Sequence, residues 1–169
     1  MGSPVVAEVG EEVAGVEPGD SLFSDLNRQL WAGIPLSAAA QLEVVEAGDH
    51  TVRVRAPFPP NRNYHGTVFG GSIAVSGIVS GWLTVDLAVR AIPGEFDVVI
   101  QGSEVDYLSP VFDSIEATTS APDPADWERF RRTLERFGRA RLRVESDITS
   151  DGRVVARHRG TYAALTRGA

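Results

Sequence analysis

The chain has no cysteine and no lysine. Without cysteine it can form no disulfide, offer no thiol nucleophile and build no thiolate zinc site. Without lysine it can make no Schiff base through a side-chain amine and cannot supply the lysine of a P-loop. All sixteen basic residues are arginine against twenty-three acidic ones, and the net charge of −7 argues against general nucleic-acid binding. The opening, Met1-Gly2-Ser3-Pro4 onward, lacks the basic start and long apolar run of a signal peptide. No stretch approaches about 18 apolar residues without a break. A cytoplasmic protein, with neither membrane nor nucleic acid as partner, is the expectation. His50, His65 and His158 fall in three distant segments, so no metal-ligand spacing exists and no metal site is expected.

At 169 residues and 43% hydrophobic content, the chain suits one domain with a real core. Charge is unevenly spread. Residues 1–20 carry five acids and no arginine, and read as a disordered acidic tail ahead of a domain over 21–169. Residues 129–143 carry seven arginines.

Ser21 is placed to cap a short helix with Leu22, Leu26 and Leu30, or Phe23, Leu26 and Leu30, on one face, which Pro35 ends. A hairpin over about 38–46 and 50–57 follows, turned at Gly48-Asp49 and stopped by Pro57, Pro59 and Pro60. From Gly70 to Arg90 the chain has no proline and only small or apolar residues until Asp86. That run is too long for a strand and lacks two-residue alternation, so it predicts a helix buried on nearly all sides. Strands are expected near 97–109, 112–121, 138–149 and 153–166. Between the middle two, Trp127, Phe130, Leu134 and Phe137 mark a surface amphipathic helix.

Burial cost selects the register of the last hairpin. A two-residue Asp151-Gly152 turn would set Arg157 and Arg159 beside Leu142 and Val144, which is costly. A three-residue turn with left-handed Gly152 shifts the register by one. Leu142, Val144, Ile148, Val154, Ala156 and Tyr162 then share the inner face with His158, and Arg139, Arg141, Arg143, Arg157 and Arg159 share the outer one. The architecture is α+β, a strongly bent antiparallel sheet around one long central helix.

The segment that carries chemistry runs Asn61-Arg62-Asn63-Tyr64-His65-Gly66-Thr67-Val68-Phe69-Gly70-Gly71-Ser72, straight into the buried helix. Its glycines permit close backbone approach and leave amide N–H groups free at a helix N-terminus, which carries about half a positive charge. Such donors polarise a carbonyl and stabilise the oxyanion formed when water attacks it. Phosphate sites and plain turns share the same glycine pattern.

The motif Asn63-x-His65-Gly66-Thr67-x-Phe69-Gly70-Gly71-Ser72, then Gly81-Trp82, resembles the thioesterase-like domain at the C-terminus of YiiD-type proteins, a branch of the hotdog superfamily. The resemblance continues through Tyr107 and Pro110-Val111, Gly138 to Arg141, and Gly160-x-Tyr162, covering about residues 20–166. It implies a hotdog fold, a homodimer or dimer of dimers, and a substrate that is acyl-CoA or an acyl group on a carrier protein. Coenzyme A or phosphopantetheine would enter only as part of the substrate, with no metal or redox cofactor. YiiD-type chains often carry an acetyltransferase domain ahead of this one, so the short tail here implies a stand-alone version. Many hotdog thioesterases place an Asp or Glu nine residues after the turn's Phe or His. Here that position is Ile78, and the helix has no carboxylate before Asp86.

With that base missing, His65 is the candidate to activate water, because an imidazole exchanges protons near neutrality; otherwise it only hydrogen-bonds the turn. Asn63 either orients water or stabilises the turn. Gly70, Gly71 and Ser72 supply the oxyanion donors, and the Ser72 hydroxyl either meets substrate or caps the helix. Gly66, Phe69 and Arg62 line the substrate, with Arg62 steadying the phosphopantetheine end. Ser72, Ser76, Ser80, Gly77 and Gly81 form a small-residue face that serves tight packing or admits a pantetheine arm. Glu104, Asp106 and Asp113 are alternative sources of the absent carboxylate, or solvated surface. Three functions follow. The first is an acyl-thioester hydrolase; the second is a hotdog enzyme of another type, such as a dehydratase or cyclase; the third is a non-catalytic module that docks an acidic carrier protein on the hairpin arginines.

Overall fold

The computed structural model describes the backbone over residues 18–48 and 51–168, and the side chains over 23–48 and 51–168. Most of the acidic tail lies outside the described residues. Helix α1 spans Pro18–Gly33, so Ser21 lies inside it and does not cap it. Leu26 and Leu30 are buried, as their spacing implies. Pro35 opens a second short helix, α2 (Pro35–Ala39), where a proline costs no hydrogen bond. The first strand, expected from residue 38, therefore starts at Glu43, and Gln41 turns the chain into it with a left-handed backbone (φ 52°). Strands β1 (Glu43–Gly48) and β2 (Thr51–Ala56) pair as the expected hairpin. Its tip, Asp49 and His50, is outside the described residues.

A single turn, α3 (Phe58–Asn61), then leads to the central helix α4, Gly70–Val89, with bounds close to those expected. Strands β3 (Phe96–Tyr107), β4 (Ile115–Thr119), β5 (Arg139–Ser150) and β6 (Arg153–Thr166) complete one six-stranded sheet. Its order is β1-β2-β4-β5-β6-β3, every pair antiparallel. The sheet bends around α4, which is the hotdog fold. α4 is long and apolar enough to cross a bilayer, but its apolarity is accounted for by the strands that cover it. Ile73, Val79 and Leu83 pack on one side of the core, and Val85 and Val89 on the other. Each contributes roughly 1.5–3 kcal/mol by leaving water.

The small-residue face of α4 serves tight packing. A Cβ on Gly77 would lie 2.7 Å from His158 Cβ, and one on Gly81 would lie 2.5 Å from the Tyr162 hydroxyl. The buried hydroxyls between helix and sheet are satisfied. Ser80 Oγ donates to the Val52 carbonyl (2.9 Å) and lies 2.7 Å from Thr119 Oγ1, itself 2.6 Å from Ser146 Oγ. The Tyr162 hydroxyl donates to the Ile78 carbonyl at 2.8 Å.

Helix α5 (Pro124–Phe137) starts where Asp123 accepts the Ala125 N–H (2.8 Å) and stops at left-handed Gly138. It buries Phe130 and Leu134, with Trp127 stacked on Phe130. Phe137, expected on that face, is exposed beneath the Arg136 guanidinium.

The last hairpin has the expected faces by a different device. Asp151 and Gly152 both have positive φ (48° and 71°) and form a two-residue turn, with Ser150 opposite Arg153. The one-residue shift comes from a bulge: Thr149 pairs with Val154, Ile148 with Ala156, and Val155 is the extra residue. Val155 is thus buried in the place expected of Val154, which is 37% exposed. His158 is fully buried, and the arginines face outward, where Arg159 pairs with Glu104 and Asp106 and Arg157 with Asp147.

The two sheet edges differ. β1 is covered by α1: Asn27 accepts the Val44 N–H (2.7 Å), and Trp31 Nε1 donates to the Leu42 carbonyl (2.6 Å). Among the described residues no strand pairs with the free edge of β3, and nearly all its twelve residues are exposed or half-buried.

Candidate active site

The segment before α4 is folded by Asn63. Its Oδ1 accepts the N–H groups of His65 (2.9 Å) and Thr67 (3.2 Å), and its Nδ2 donates to Thr67 Oγ1 (2.9 Å). The Asn63 N–H reaches the Thr67 carbonyl (2.7 Å) and Arg62 bridges Val68, closing a narrow turn with Tyr64, His65 and Gly66 at its tip. Gly66 sits there at φ 78°, a backbone that side chains resist. Asn63 spends both ends of its amide on this turn, which is the stabilising reading of the two raised by the sequence.

The base of the turn is held from two directions. Phe69 N–H donates to the Asn61 carbonyl (2.7 Å) and Val68 N–H to the Val111 carbonyl (2.8 Å). The Tyr107 hydroxyl donates to the Gly70 carbonyl (3.0 Å). Tyr107 and Val111 therefore anchor the N-terminus of α4, a role that sequence reasoning missed. Both stand in the Tyr-x-x-Pro-Val stretch, but only register could have shown what they touch.

At the N-terminus itself, Ser72 N–H donates back to the Phe69 carbonyl (2.9 Å) and Ile73 N–H to the same oxygen (3.2 Å). Ser72, expected among the oxyanion donors, has its N–H engaged, and its hydroxyl makes no capping bond. Gly70 and Gly71 remain: among the described residues nothing accepts from either N–H. They are half-buried, at the positive end of a 20-residue helix. Phe69, 56% exposed, folds its ring over Gly71, where a Cβ would fall 2.3 Å from the ring. Tyr107, Leu108 and Phe112 are also exposed.

His65 is exposed at the turn's tip, with the Tyr64 ring 3.9 Å away, centroid to centroid. Arg62 is exposed and makes no ion pair among the described residues. The carboxylates considered as substitutes for a base on α4 point elsewhere. Glu104 and Asp106 lie on the outer face against Arg159 (3.2 and 2.8 Å), which holds the Asp106 carboxyl below its usual range. Asp113 accepts from the Ser114 N–H (2.6 Å), and Asp86 pairs with Arg90 at the far end of the helix.

A second polar pair, absent from the sequence reading, lies along α4. Ser103 on β3 and buried His158 on β6 approach to 3.0 Å, Oγ to Nε2. They are fifty-five residues apart in sequence, so no spacing signals them.

The chain as a whole is similar to known proteins. The family described as "Putative thioesterase (yiiD_Cterm)" matches residues 23–166. A solved protein of unknown function from Chlorobaculum tepidum TLS shares 27% identity over 88% of this chain and 96% of its own, with a TM-score of 0.81. A solved chain described as the putative thioesterase from Shewanella oneidensis shares 28% identity over 86% of this chain and 99% of its own, with a TM-score of 0.73. A thioesterase from Haemophilus influenzae shares the fold at 15% identity, with a TM-score of 0.69 over 87% of this chain and 92% of its own. No curated protein matches the chain.

Proposed function

Because the chain belongs to the yiiD_Cterm family of thioesterase-type hotdog proteins, we propose that it hydrolyses an acyl thioester of phosphopantetheine. The observation that carries this reading is the pair of unengaged N–H groups on Gly70 and Gly71 at the positive end of α4. A thioester carbonyl docked on them gains two donors that strengthen as negative charge develops on its oxygen. Water adds to the carbonyl carbon, the tetrahedral oxyanion collapses, and the thiol leaves carrying one proton. His65 takes the proton from the attacking water, and Asn63 positions it by fixing the turn. Phe69 and Tyr107 offer apolar surface beside the reacting bond, and Arg62 meets the phosphates of the pantetheine arm.

The unit that works is a homodimer joined along β3. One edge of the sheet is covered by its own helix, whereas among the described residues nothing pairs with the free edge of the twelve-residue β3, on which Val99, Ile100 and Tyr107 are all substantially exposed. An uncovered strand of that length invites pairing with a second copy.

The test is thiol release, trapped colorimetrically, from short, medium and long acyl-CoAs and from the same acyl groups on a carrier protein. Turnover that falls on His65→Ala is expected, and the two carrier arms report which thioester is preferred. A folded wild type that is inert with every substrate would reject the proposal. The lack of any carboxylate on α4 before Asp86 favours one rival, a protein that binds the thioester and alters the acyl group without cleaving it. Mass spectrometry of the loaded carrier separates the two, because the rival changes the acyl mass and keeps the thioester.

A further inference from the structure

His158 is a fully buried imidazole directly beneath Gly77 of α4. Its Nε2 stands 3.0 Å from the hydroxyl of Ser103, and its Nδ1 is buried with no partner among the described residues. Burial, with Arg159 adjoining, holds its pKa below the ordinary value, so the ring is neutral near pH 7. One proton must then be assigned to one nitrogen. A buried N–H with no acceptor is costlier than a buried lone pair with no donor. The proton therefore sits on Nε2 and is donated to Ser103 Oγ, and the Ser103 hydroxyl proton is turned away from the ring.

Ser103 is exposed on the inner side of β3, on the same face of the strand as Ile100, Val105 and Tyr107. Three contacts lay β3 and β6 along α4, starting at the active site. Tyr107 meets Gly70, His158 meets Gly77, and Trp82 Nε1 donates to the Val98 carbonyl (2.9 Å). Moving down the helix from the amide pair, one travels about 10 Å, seven residues at 1.5 Å each, to reach the level of Ser103. With the Nε2 proton donated to its oxygen, the exposed Ser103 hydroxyl keeps its own donor free for another group.

We propose that Ser103, oriented by His158, is a hydrogen-bond donor that selects acyl groups carrying an oxygen, as hydroxyl or ketone, well removed from the thioester. The thioesterase reading enters only in placing the carbonyl at Gly70 and Gly71; selection itself does not depend on turnover. The test is calorimetric binding of 2-oxoalkyl-CoA analogues, in which a methylene separates sulfur from carbonyl so that nothing is hydrolysed. Chains of equal length are compared with and without an oxygen at successive positions, on wild type and on Ser103→Ala. The wild type is expected to bind one oxygenated position about tenfold more tightly than the plain chain. In Ser103→Ala that ratio falls to within about twofold of unity. Equal ratios in the two proteins, no preference at any position, or no binding of any analogue each overturn the proposal. Preference without hydrolysis of real thioesters would instead reject the thioesterase reading and leave this one standing. Nitrogen-15 NMR of His158 gives a second check: a proton on Nε2 is expected, and one on Nδ1 overturns the donor assignment.

Discussion

Replacing Gly77 by alanine tests how closely α4 lies on the sheet. An ideal Cβ there would be 2.7 Å from His158 Cβ and 2.8 Å from its Cγ. Carbon atoms rest at about 3.5–4.0 Å, so the helix must lift by roughly 1 Å at this turn. His158 cannot yield, because both atoms are at the root of its side chain and β6 is held between β5 and β3. Overpacking of this kind costs about 1–3 kcal/mol. Alanine returns about 0.8–1 kcal/mol through its better helix propensity. The net expectation is a loss centred on about 1 kcal/mol, read as a melting temperature lower by about 2–4 °C in circular dichroism. Gly33→Ala, at the end of α1 with open space around its would-be Cβ, is the control and should shift little. A Gly77→Ala protein that melts at or above wild type would refute the close approach, and with it the placement of His158 against the helix.

Three further outcomes follow from the same geometry. His65→Ala should lower kcat about 100-fold or more with little change in melting temperature, since the side chain is exposed at a turn tip; unchanged kcat would remove His65 from the mechanism. Asn63→Asp keeps the acceptor used by the His65 and Thr67 N–H groups and should retain most activity, whereas Asn63→Ala should lose about tenfold or more; equal losses would mean that Asn63 acts through its Nδ2. His158 has a pKa below its ordinary 6.5, so the unfolded chain binds a proton that the folded one refuses. Stability measured by urea titration should be flat in this contribution above about pH 7 and fall as pH drops below 6.5, by at most about 1.4 kcal/mol per pH unit. His158→Gln should flatten that slope, and an identical slope in both proteins would place the titration elsewhere.

How far the sequence discloses the molecule depends on which interactions are local. α4 and α5 were legible because an unbroken apolar run and an amphipathic spacing are periodic signals confined to one segment. The inward and outward faces of the last hairpin were legible because burying arginines is costly, although the bulge at Val155 achieves the register that a longer turn was expected to give. The short helix α2 was not, because Pro35 reads equally as a stop or a start. The glycine-rich turn marked the site, yet nothing local distinguishes the engaged N–H of Ser72 from the open ones of Gly70 and Gly71; that follows from the bond to the Phe69 carbonyl. Tyr107 on Gly70 and Ser103 on His158 are pairs made by strand order, thirty-seven and fifty-five residues apart, and pattern alone does not bring them together.

The amides of Gly70 and Gly71 are the center of the account, and their response to a bound carbonyl is the direct measurement. In a proton–nitrogen correlation spectrum titrated with a 2-oxoalkyl-CoA, both resonances should move downfield in the proton dimension, more than any other amide of α4, while Ser72 stays near its free position. If the two glycine amides stay fixed while the analogue binds, the carbonyl docks elsewhere and the proposed catalysis at this helix terminus is wrong.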